Sequence, residues 1–125
     1  MIAEPLKLKY INIGDRGDIG HERIHLKVVS DCDISLYVLI ATKEIAHGRV
    51  QAGSRPAFWF TALKVNAGDH LILYTKAGDS YEKVRTDGYT NYFFYWNRSK
   101  PLFGDPQARV LVAELNSWEA VGRAT

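Results

Sequence analysis

At 125 residues, with 46% hydrophobic and 24% charged residues, the chain has the composition of a soluble globular protein and the length of one domain, read as residues 1–125. A net charge of +2 permits an anionic partner without demanding one. The lone cysteine, Cys32, excludes an intrachain disulfide and a cysteine-based metal site, and no stretch approaches the ~20 apolar residues of a membrane span.

The N-terminus, Met1 to Lys7, has neither a basic region nor an apolar run of leader length. With one thiol, this suits a reducing compartment, so a cytoplasmic protein with no membrane partner is expected. The first apolar run, Leu6 to Ile13, closes on Gly14-Asp15-Arg16-Gly17-Asp18. From His21 to Val29, Ile24, Leu26 and Val28 alternate with Arg23, His25 and Lys27, the period of a half-buried strand. Ser30 to Asp33 reads as a turn, and Ile34 to Ala41 is so continuously apolar that it predicts a central strand. Thr42 to Pro56 reads mainly as a surface loop, with room for a short strand near Arg49 to Ala52. Ala57 to Phe60 and Ala62 to Val65 precede the tight turn Asn66-Ala67-Gly68-Asp69 and the strand His70 to Thr75. Thr90 to Trp96 and Ala108 to Leu115 follow, with a short last strand or a fraying tail at Ser117 to Val121. No window carries capped 3.6-residue periodicity, and the 12% aromatic content suits strands, so the expected class is all-β.

His21-Glu22-Arg23-Ile24-His25 matches the H-E-x-x-H signature of zinc hydrolases. The signature needs a helix, where residues four apart lie about 6 Å apart along the axis. On a strand the same residues are about 13 Å apart, too far to share a metal bonded at about 2 Å. The alternation therefore argues against catalysis here. A small zinc hydrolase using His21, His25 and Glu22 is the third reading, with no metal, cofactor or catalytic residue assigned.

The order of elements resembles the lamin-tail domain, an immunoglobulin-like antiparallel β-sandwich. The resemblance rests on His21 to Val28 after an early strand and a Gly/Asp loop, and on Asp31-Cys32-Asp33-Ile34-Ser35-Leu36-Tyr37-Val38-Leu39. It continues through Phe58 to Thr75 around Ala67-Gly68-Asp69, and ends on Trp96-Asn97, Gly104-Asp105 and Arg109 to Val112. Leu36-Tyr37 replaces the family's glycine-tryptophan, Thr61 its proline, and Pro106 interrupts the approach to the last strand. The resemblance implies an interaction module and brings no catalytic residues.

In the aromatic run, Tyr92, Phe94 and Trp96 would share one face of a strand, and Phe93 and Tyr95 the other. One of those faces must enter the core. The candidate contact residues are Tyr89, Tyr92, Tyr95, Trp96 and Arg98, with Trp59 second, because exposed Tyr and Trp anchor interfaces or stack on bases and sugars. Lys83, Arg85, Lys100 and Arg109 could flank them, diluted by Glu82, Asp87 and Asp105. Asp15, Asp18, Asp31 and Asp33 would offer calcium ligands only if their two loops met, and Asp is equally a preferred turn residue. The expected function is a non-catalytic binding module for a protein partner or for self-association along a strand edge. Single-stranded nucleic acid or carbohydrate binding is the alternative.

Overall fold

The computed structural model describes residues 5–124; Met1 to Glu4, and Thr125, lie outside the described residues. In chain order the strands are β1 (Leu8–Gly14), β2 (Arg23–Val28) and β3 (Cys32–Asp33), then, after a turn of 3-10 helix at Ile34–Leu36, β4 (Tyr37–Ala46), β5 (Arg49–Val50), β6 (Ala57–Trp59) and β7 (Lys64–Val65). They continue with β8 (His70–Tyr74), β9 (Tyr81–Val84), β10 (Thr90–Tyr95) and β11 (Ala108–Glu114). The described chain is thus nearly all strand and loop.

One sheet has the order β1-β2-β8-β10-β9. In a second, β4 pairs with β11 on one side and with β6 and β5 on the other, and β3 and β7 form a separate two-stranded sheet. Inward residues of both sheets, among them Leu8, Ile24, Leu26, Leu71 and Phe94 from the first and Leu39, Ala41 and Ala108 from the second, share one buried cluster. Two layers on a common core fit a β-sandwich.

Several expectations need correction. The first sheet is mixed, because β10 runs parallel to β8. After β8 the chain reaches the sheet's far edge as β9, then folds back through the 85–89 turn to insert β10 between the two. β4 runs on to Ala46 into the segment read as loop, and of the two readings of Ser117 to Val121 the structure shows the one without a strand. β9 carries no apolar alternation because all four of its residues are exposed at the sheet edge.

The constraint that closes the first sheet against its loops is Glu22. Its side chain is 0% exposed, just before β2. Oε1 accepts the N–H groups of Gly17 (2.9 Å) and Phe103 (3.0 Å). Oε2 accepts the Leu102 N–H (2.8 Å) and the Thr75 hydroxyl (2.6 Å). A buried carboxylate is tolerable only when its lone pairs are matched in this way. Three segments far apart in sequence are thereby pinned to one anion, and Gly17 and Gly104 pack so closely that a Cβ on Gly104 would meet the Gly17 Cα at 3.2 Å.

Glu22→Gln exchanges two matched acceptors for one acceptor and an amide that faces donors. It is expected to cost about 3 kcal/mol in urea unfolding. His21→Ala, at an exposed ring, is expected to stay within about 0.5 kcal/mol of the parent.

Candidate functional site

The three residues of the H-E-x-x-H match have separate structural partners. The His21 ring bonds Asp18 at 2.9 Å in the turn before β2. Glu22 is the buried anchor. His25 lies within the extended β2, and its Nε2 sits 2.6 Å from Nδ1 of His70, the rings tilted at 55° with centroids 4.7 Å apart. Residues 23–28 are strand, as the alternation predicts, whereas His21 stands in the turn before it, so no helix stacks the two motif imidazoles on one face.

The six candidate contact residues do not form one platform. Trp96 is 8% exposed and packs on Phe58 and Phe103, and half-buried Tyr92 packs against the core, so neither offers a free ring face. Tyr95 points outward and stacks on Tyr74 at 5.5 Å and 13°. Tyr89 lies in the β9–β10 turn, its ring against Gly68 and 5.4 Å from the Arg85 guanidinium. Gly68 has φ 97°, and a Cβ there would meet the Tyr89 ring at 2.3 Å, so glycine is required on both counts. Arg98 is exposed in the loop after β10, its N–H bonded to the Thr75 carbonyl. Trp59 stands on the other sheet.

The loop aspartates are absorbed by turns and ion pairs: Asp15 pairs with Arg23, Asp18 accepts the Gly20 N–H, Asp31 accepts the Ala67 N–H, and Asp33 caps the 3-10 turn. Among the described residues no group of three or more His, Cys, Asp or Glu is placed to share a metal ion. Burial first, then the Asp33 carboxylate, pushes the Cys32 thiol up, with Lys7 opposing.

Two outward surfaces carry the chemistry. On the second sheet, alternation and register place Ala113, Val38 and Trp59 in one row across β11, β4 and β6, and Leu111, Ile40 and Ala57 in the next. Trp59 is 53% exposed and Leu111 41%. The Trp59 indole N–H is used on the Ser35 carbonyl at 2.6 Å, and Trp118 of the C-terminal segment meets its ring edge-on at 5.6 Å. The Arg109–Glu44 ion pair (3.4 Å) lies one row further along.

On the five-stranded sheet the outward rows are Gly14, Arg23, Tyr74 and Tyr95; then Asn12, His25, Ile72, Phe93 and Tyr81; then Lys9, Lys27, His70, Asn91 and Lys83. Phe93 and Tyr81 stack at 4.5 Å and 9°. Lys76 lies 5.2 Å over the Tyr74 ring, and the Tyr95 ring lies so close to Gly78 that a Cβ there would meet it at 2.4 Å. Desolvation, reinforced by Arg23 and Arg85, holds the His25 pKa below the usual imidazole value. Desolvation, then His25, Arg85 and Lys27, does the same to His70. Sequence reasoning missed these rows because each takes a single residue from each strand it crosses. The signal present was the alternation in His70 to Tyr74 and Thr90 to Tyr95.

A base whose folded pKa lies below its unfolded value binds fewer protons when folded, so its contribution to stability is full above about pH 6.5 and declines as pH falls through that value. The urea midpoint is expected to drop between about pH 7.5 and pH 5.5, and to drop less in the His25→Asn/His70→Asn double variant.

Comparison of the chain with protein-family models, with curated proteins and with solved structures finds no match.

Proposed function

We propose that this chain is a non-catalytic interaction module on an immunoglobulin-like, lamin-tail-like sandwich, and that it binds protein through the outer face of its second sheet. The observation that carries this reading is the two-row apolar surface Ala113, Val38, Trp59 and Leu111, Ile40, Ala57. An antiparallel sheet with one wet face ordinarily alternates apolar and polar residues. Here Val38 to Ala41 and Val110 to Ala113 are apolar on both faces. Large exposed apolar patches on soluble domains mark contact sites, and covering this one recovers ~25 cal/mol per Å2. Trp59, 53% exposed, is the natural aromatic anchor.

The lamin-tail reading is supported by where the four resembling segments fall: on β2, on β3 through the 3-10 turn into β4, on β6 to β8, and from the end of β10 to β11.

A second copy of the chain is the partner this chemistry fits. The two apolar rows set no like charges against each other across a twofold axis, and the bordering Arg109–Glu44 pair brings no net charge against its own copy. A sheet face suits this better than the β1 edge, where the register breaks between Tyr10 and Asn12 and Lys9 intervenes.

Sedimentation velocity over a concentration series tests the reading. The parent is expected to show a concentration-dependent dimer, and Trp59→Glu/Leu111→Glu to sediment as a 14.1 kDa monomer with an unchanged circular dichroism spectrum. A parent that stays monomeric at the highest concentration would contradict it.

A further inference from the structure

The outer face of the five-stranded sheet lies on the opposite layer and has the reverse chemistry. Its third row sets Lys9, Lys27, His70 and Lys83 in a line across five strands. At about 4.8 Å per strand, that line is about 19 Å long. Arg85 joins it at the β9 end, bonding Asn91 Oδ1 at 3.2 Å and the Gly68 carbonyl at 3.1 Å. Among the described residues Lys9, Lys27 and Lys83 make no ion pair, whereas Asp15 and Asp87 are held by Arg23 and Arg85. Beside the line run Phe93 and Tyr81, with Tyr81 at the sheet edge and 52% exposed, so one ring face at the end of the stack is free.

A flexible chain with a charge at every link and a planar group beside each charge fits this surface. The cation line matches phosphates, and the open end of the Phe93–Tyr81 stack accepts a base, in the manner of sequence-tolerant single-strand binding. A divalent metal fits poorly, because the two imidazoles at the centre are ringed by Arg23, Lys27 and Arg85. An anionic chain laid over those cations would offset their field and allow the touching imidazoles to gain a proton, since ligand and proton each favour the other's binding.

We propose that the outer face of the five-stranded sheet binds single-stranded nucleic acid, with phosphates along Lys9, Lys27 and Lys83, a base on Tyr81, and the His25–His70 pair taking up a proton as the strand binds. The charged groups facing that pair are Lys9 from β1, Arg23 and Lys27 from β2, Lys83 from β9, and Arg85 and Asp87 from the turn after it. The site is independent of the apolar face of the other sheet.

Fluorescence anisotropy of a labelled oligothymidylate of about 12 nucleotides is the test, run on the parent and on Trp59→Glu/Leu111→Glu. Both are expected to bind, which separates failure of this site from failure of the dimer reading. The logarithm of the affinity is expected to fall with the logarithm of salt at a slope near −2, and Lys27→Ala/Lys83→Ala to flatten it by about 1.4, for ~0.7 per phosphate contact. Tyr81→Ala is expected to weaken binding roughly tenfold. Affinity is expected to rise between about pH 7.5 and pH 5.5, with His70→Gln flattening that rise. Binding insensitive to the lysine pair or to Tyr81 would overturn the proposal. So would displacement of the strand by polyglutamate as readily as by unlabelled oligonucleotide, and a pH profile unchanged by His70→Gln would overturn the proton uptake.

Discussion

The carboxylate of Glu22 is the constraint on which the rest of the architecture depends. It stands where β2 leaves its turn, and its two oxygens gather the loop after β1, the end of β8 and the loop before β11. Burying an isolated carboxylate would be prohibitive, and four short donors, three of them backbone N–H groups, offset that cost by satisfying loop amides that would otherwise lie unmatched. Because Glu22 is fixed, the alternation of β2 is fixed in phase: Ile24, Leu26 and Val28 go inward, and Arg23, His25 and Lys27 go outward. That phase brings His25 against His70 and puts Lys27 in line with Lys83. The residue that would be the catalytic base of a zinc hydrolase serves here as a structural clamp.

The two outward surfaces follow from the same alternation but differ in chemistry. β4 and β11 are apolar at consecutive positions from Val38 to Ala41 and from Val110 to Ala113, so over that stretch both faces of their sheet are apolar. β2 keeps a two-residue burial period, and β2, β8 and β10 give most of their outward positions to rings and cations. Tyr74 on Tyr95 and Tyr81 on Phe93 form cross-strand pairs, which add to sheet stability before any ligand is considered. The domain thus carries an apolar face on one layer and a cationic aromatic face on the other.

Much of this was legible in the sequence wherever burial imprints a period on one strand. The alternation of Ile24, Leu26 and Val28 located β2, and the apolar run into Ala41 marked β4 as the middle strand of its sheet. The split of the aromatic run into two faces was visible too, but periodicity cannot say which face goes inward. Trp96 therefore stood among the contact residues although it packs on Phe103. β9 left no imprint because an exposed edge strand buries no side chain. The parallel pairing of β8 with β10 was equally silent, since a strand's own residues read alike whichever way its neighbour runs. The donors to Glu22 lie up to 81 residues away and two of the three nearest in space are backbone amides, so only assembly of the fold reveals them.

Native-state hydrogen exchange tests the central claim most directly. If Glu22 holds the loops, the amides of Gly17, Leu102 and Phe103 exchange about as slowly as those of the β2 and β8 strands and open with them in one cooperative unit. Fast, independent exchange of those three loop amides under native conditions would contradict it.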